Sequence, residues 1–190
     1  MQKVYVPQKY KVFFIIISLI AIIAGSIFYF KLAPDNQDLA NTYINAYFLN
    51  GEYSSIFNVL ILNFLLILVI WLLGLSMFGS FFITFIYFVK VFILTVSVSS
   101  ICKLESGFLK AFFYVFPNQI LSIFIYALIS IYAINFSFKF FQILFQKKDE
   151  NFKLIFKNYN KIILFLAFFL IGVIIYQVYL NPLILKLVVK

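Results

Sequence analysis

Long apolar runs, separated by short polar stretches, organise the chain. The first run extends from Val12 to Phe30, behind Lys3, Lys9 and Lys11. Its 19 residues would rise about 28 Å as a helix, enough for one membrane crossing. It begins like a signal peptide, but it is too long and lacks an A-x-A cleavage site, so it reads as a retained span. Asn58–Leu73 is a second run, and a third extends from about Ser80 to Val98. They are joined by the uncharged link Gly74-Leu75-Ser76-Met77-Phe78-Gly79. So short a link predicts a helical hairpin. The next apolar stretch, Phe108–Phe138, has 31 residues, or about 46 Å of helix against a hydrocarbon core of about 30 Å. Pro117 lies inside it, where proline removes a helix hydrogen bond and frees the carbonyl of Phe113. The stretch therefore divides into a half-helix at 108–116 and a span at 118–138. The last span is Ile162–Leu180, closed by Asn181-Pro182.

The polar stretches carry their own signals. Pro34-Asp35, with Asp38 three residues on, looks like a helix N-cap with an acidic first turn. Leu39, Tyr43, Ala46 and Tyr47 follow at helical spacing, and Asn50-Gly51 closes the segment. A short amphipathic helix is expected here. It would pack on the protein's own spans, lie on the membrane or dock a partner; Tyr43 and Tyr47 are its candidate partner contacts. Ser99–Gly107 is a short loop with Lys103 and Glu105. The second polar stretch, 139–161, holds six Lys against Asp149 and Glu150.

Composition turns this pattern into a fold class. Of the 190 residues, 65% are hydrophobic and the mean hydropathy is +1.10, whereas soluble domains are about 45–50% apolar. A chain of this size cannot hide that much apolar surface from water. Backbone polar groups in lipid must pair internally, which leaves helices or closed barrels. Barrel strands alternate with a period of two, and runs such as Val59–Leu73 do not. The expected fold is all-α: one polytopic membrane domain over 1–190, with five transmembrane helices, a half-helix and an extracytoplasmic amphipathic helix.

Charge orients it. The net charge is +9, every basic residue is Lys, and His is absent. These lysines flank apolar runs and form no patch, so they set membrane topology and imply no nucleic acid. The N-terminus and the 139–161 loop carry nine Lys, against five at Lys31, Lys103, Lys110, Lys186 and Lys190. This places the N-terminus in the cytoplasm and the C-terminus outside.

Catalytic chemistry has little to work with. Without His there is no serine–histidine pair and no H-E-x-x-H site. The six acids, Asp35, Asp38, Glu52, Glu105, Asp149 and Glu150, all lie outside the expected spans, which excludes an intramembrane aspartyl dyad. There is no phosphate-binding P-loop. The lone Cys102 excludes an internal disulfide and a cysteine zinc cluster. No enzymatic activity, cofactor or metal is expected.

Lys90 is the exception to an otherwise apolar interior. It sits near the centre of the third span, where a lysine costs about 2.5–3.5 kcal/mol on insertion scales and normally faces protein or water. No acid in a span can pair with it. The freed carbonyl near Pro117 and the amides of Asn118 and Gln119 are the expected intrachain partners. A helix-to-helix hydrogen bond, a partner contact and a transport path all remain open. Asn63, Asn135 and Gln177 read as helix–helix glue, and Trp71 as an aromatic-belt residue.

These features together resemble one family. Trp71-Leu72-Leu73-Gly74-Leu75-Ser76, with Gly79 closing the hairpin, is similar to the W-L-L-G-x-S-x-x-G signature of stage II sporulation protein M. Lys90, the Phe116-Pro117-Asn118-Gln119 break and Ser137-Phe138-Lys139 match in order. Ser80 stands where a proline is often found, Val91 where a glycine is, and Pro-Asn-Gln replaces Pro-Gln-Asn. The resemblance implies a non-enzymatic component of the endospore engulfment machinery in the mother-cell septal membrane. It would scaffold or localise the cell-wall hydrolases, stage II sporulation proteins D and P. The alternative is a small transporter using Lys90 and the helix broken at Pro117, or a permease half served by a separate ATPase.

Overall fold

A computed structural model describes the backbone of residues 8–50, 56–76, 78–103, 107–146 and 151–188. The side chains of 43–50, 56, 117–118, 146 and 180–188 lie outside that description. Among the described residues every regular element is helical: α1 (Gln8–Lys31), α2 (Pro34–Asn50), α3 (Ile56–Gly74), α4 (Gly79–Ile101), α5 (Gly107–Tyr114), a widened turn over Val115–Gln119, α6 (Ile120–Gln146) and α7 (Phe152–Val188). Five of them, α1, α3, α4, α6 and α7, are long and apolar enough to cross a membrane.

Helix α6 is the central post. Within its apolar stretch 61% of residues are buried in the protein, against 17–22% in the other four spans. It packs on α3, α4 and α7 and touches α1. Tyr126, Ile129, Ser130 and Ala133 are completely or almost completely enclosed. The outer helices instead present Phe, Leu and Ile outward, such as Leu62, Phe81 and Phe168. A lipid solvent makes that arrangement favourable, because backbone groups are paired inside each helix and apolar side chains face hydrocarbon.

Helix α1 lies closest along α4. A Cβ at Gly25 would come within 2.9 Å of the Thr95 Cβ and 3.0 Å of the Phe92 carbonyl oxygen. Only glycine lets the backbones approach so closely. Ala21, one turn earlier on the same face, is also fully buried. Further along, the Ser18 hydroxyl meets the Tyr87 hydroxyl at 2.8 Å.

The break at Pro117 falls where expected. Phe116 adopts an extended backbone, φ −105° and ψ 136°, as sterics demand of a residue preceding proline. The turn over 115–119 packs against α5, α6 and α7.

Three boundaries differ from the sequence expectation. The acidic first turn of α2 is present, with Asp35 in it, but Pro34-Asp35 is not the cap: Pro34 is the first helical residue, and the amides of Asn36 and Gln37 bond the Ala33 carbonyl. Proline suits this first position because its missing N–H would be unpaired there anyway. The 139–161 stretch is mostly helix, since α6 continues to Gln146 and α7 starts at Phe152. Its polarity hides an aromatic seam at helical spacing: Phe140 meets Phe152 at 5.6 Å, and Phe136 stacks on Tyr159 at 4.3 Å. That seam carries the hairpin past the apolar region. Finally, α7 continues through Asn181-Pro182 to Val188. Proline there removes one bond, to the Val178 carbonyl, and the apolar pattern resumes at Leu183.

Candidate functional site

Lys90 is the twelfth of the 23 residues of α4, so it stands about 16 Å from either end of the helix. Its ammonium does not turn to the break at Pro117 in any described contact. It donates to Asn63 Oδ1 on α3 at 3.5 Å and lies over the Tyr126 ring of α6, 4.0 Å from the centroid. The Tyr126 hydroxyl donates to the same Asn63 Oδ1 at 2.6 Å, while Asn63 Nδ2 donates back to the Val59 carbonyl at 2.8 Å. That last bond orients the amide, so its oxygen faces the two donors. Among the described residues an amide oxygen and an aromatic face take the place expected for the Phe113 carbonyl and Gln119, and the side chain of Asn118 lies outside the description. Asn63 is more than glue between helices, and Tyr126 carried no polar signal in an apolar run. The ring supplies electrostatic attraction from its quadrupole, and the amide supplies one acceptor. Among the described residues no carboxylate joins them, and Lys90 itself is only partly buried.

The second cluster locks the α3–α4 hairpin to α6 and α7. The Trp71 indole donates to Asn160 Oδ1 at 2.8 Å, and the Tyr159 hydroxyl donates to the Trp71 carbonyl at 3.1 Å. Trp71 does sit at a helix end, but its nitrogen is held by protein. Gly74 has no room for a side chain: an added Cβ would overlap the Tyr159 hydroxyl and lie 3.3 Å from the Ala133 Cβ. At Gly79 a Cβ would overlap the Leu73 carbonyl, across the turn closed by Gly79 N–H to the Ser76 carbonyl at 3.2 Å. The Ser76 carbonyl also accepts from Ser137 Oγ at 2.6 Å. Trp71, Gly74, Ser76 and Gly79 therefore act together as a packing motif. Tyr159 and Asn160 complete it from a stretch that reads as a polar loop.

A third cluster sits at the other end of the bundle. Asn41 Oδ1 accepts from the Tyr29 hydroxyl at 3.0 Å and the Ser100 hydroxyl at 2.5 Å. Gln37 donates to the Leu32 carbonyl at 2.9 Å and accepts from Lys103. These bonds hold α2 on α1 and α4. Gln119 is partly buried in the turn after the break; the side chains of Pro117, Asn118, Tyr43 and Tyr47 lie outside the described residues.

A helical membrane protein whose polar interior consists of helix-locking hydrogen bonds around one midplane lysine is the class that fold and site define. The sequence profile of Stage II sporulation protein M matches residues 12–182, most of the chain. The chain belongs to that family, and it is a membrane protein of the sporulation class. A search of curated proteins and a search of solved structures each found no match.

Proposed function

We propose that this protein is a non-enzymatic membrane component of the engulfment machinery, holding the peptidoglycan hydrolases, stage II sporulation proteins D and P, at the septal membrane. The observation that carries the reading is the use made of polar side chains. Most described side-chain hydrogen bonds join helices, as in Trp71–Asn160, Ser137–Ser76 and Asn41 with Tyr29 and Ser100, and the others tie Ser, Thr and Asn to their own helix. A rigid platform needs such joints, whereas a catalyst needs a nucleophile and a base converging on one reacting atom. Family membership supplies the sporulation context.

The orientation belongs to the same proposal. The N-terminus and the α6–α7 connection face the cytoplasm, and α2 and the 102–106 connection face outward. Helix α2 is anchored through Gln37 and Asn41. At about 100° per residue, positions 43 and 47 fall on the side of α2 away from Asn41, which suits an outward partner contact. Replacing Tyr43 and Tyr47 with Ala is expected to cut co-purification of the two hydrolases from sporulating cells severalfold, with insertion unchanged. Full co-purification by the double variant would remove this surface from the proposal.

A further inference from the structure

Lys90 has an amide oxygen and a ring face, yet among the described residues no carboxylate approaches it. A midplane ammonium is costly unless it is paired, and a single cation–π contact offsets only part of that cost. The membrane-spanning helices cannot supply an anion: no Asp or Glu occurs in 8–31, 56–101, 107–146 or 152–188, and those of α2 lie outside the spans. A second copy cannot supply one either, because its spans have the same sequence. Lipid phosphates stand about 15 Å from the midplane, beyond the reach of a lysine side chain of about 6 Å. A carboxylate at this depth must come from the membrane-spanning helix of a different protein.

The surroundings agree with such a visitor. Lys90 is partly buried, bonded on the α3 side to Asn63 and on the α6 side to Tyr126. Leu62, beside Asn63, is 67% exposed, and Ile93, one turn beyond Lys90, is 57% exposed. They give the outer surfaces of α3 and α4 an apolar character next to the Lys90–Asn63 contact. We propose that this surface receives a transmembrane helix of another membrane protein, which places an Asp or Glu carboxylate against Lys90. An ammonium retains donors beyond the one given to Asn63, so the carboxylate adds to the existing contacts. The inference rests on the reading of the protein as a holder of membrane partners and names how one of them is recognised.

The test uses the full chain in membranes of its sporulating host, with a photo-crosslinking residue at position 93. The expected result is an adduct to a different membrane protein that carries Asp or Glu inside its spanning segment. Lys90→Met should reduce this adduct at least tenfold, Lys90→Arg should retain it, and Lys90→Asp should regain it when the partner's acid is changed to Lys. Adducts only to lipid or to second copies, no adduct, or an adduct indifferent to Lys90→Met would each overturn the proposal. Recovery of the wall hydrolases with the tagged wild-type chain is scored in parallel. If they are recovered and the adduct ignores Lys90, this inference fails alone; if they are not recovered, the scaffold reading fails on its own evidence.

Discussion

Asn63 Oδ1 is the point where three helices meet, since it accepts from Lys90 of α4 and Tyr126 of α6 while its own helix is α3. Removing an acceptor from beneath a buried donor costs the full desolvation of that donor. Asn63→Leu should therefore destabilise the protein by about 1.5–3 kcal/mol, the range for a bond to a charged group. Lys90→Met removes the charge that needed solvating, so the Asn63→Leu/Lys90→Met pair should be more stable than Asn63→Leu alone. Thermal unfolding in detergent checks this cycle, and strictly additive losses would contradict the shared site. At this scale the sequence was half legible. Lys90 stands out because charge is rare in an apolar run. Its partners do not, because a tyrosine among phenylalanines and an asparagine among leucines give no hint of direction. The same holds for Asn160, whose bond to Trp71 spans 89 positions.

Among the elements, α1 and α4 make the most extensive contact, and it is tightest at Gly25. With a built Cβ only 2.9 Å from the Thr95 Cβ, the two positions need a small separation to reach the spacing of about 3.5–4.5 Å that a disulfide uses. In a Cys102→Ser background, Gly25→Cys with Thr95→Cys should oxidise to a disulfide within the chain. Both thiols should then resist alkylation until reductant is added. Free thiols after mild oxidation would contradict this crossing. The elements were largely readable from the pattern of apolar runs, because a span must have a minimum length and a proline such as Pro117 breaks it in a known way. The errors came where polarity was taken for a loop. Residues 139–146 and 152–161 are helical, with Phe140 meeting Phe152 and Phe136 stacking on Tyr159 across the hairpin. Lys153 and Lys157 are exposed and do not end α7. Likewise Asn181-Pro182 did not end α7, since proline removes one bond and leaves the following apolar turn able to continue.

The whole molecule is a bundle built around α6 and clamped at both ends. Trp71, Gly74, Ser76, Gly79, Ser137 and Tyr159 close one end, and Tyr29, Asn41 and Ser100 close the other. Between the clamps stands Lys90, held among the described residues by the Asn63 amide oxygen and the Tyr126 ring. This construction is suited to presenting fixed surfaces on each side of a membrane and one charged position within it. It gives a physical reason for reading the sporulation family member as a holder of other proteins. The direct measurement is where peptidoglycan-degrading activity resides. The tagged chain should be isolated from sporulating membranes under mild detergent, and a second portion stripped of its associated proteins without denaturation. The account expects the associated fraction to release soluble fragments from purified peptidoglycan, the stripped chain to release none, and activity to return when the removed proteins are added back. Degradation by the stripped chain alone, or no activity in either fraction, would contradict it.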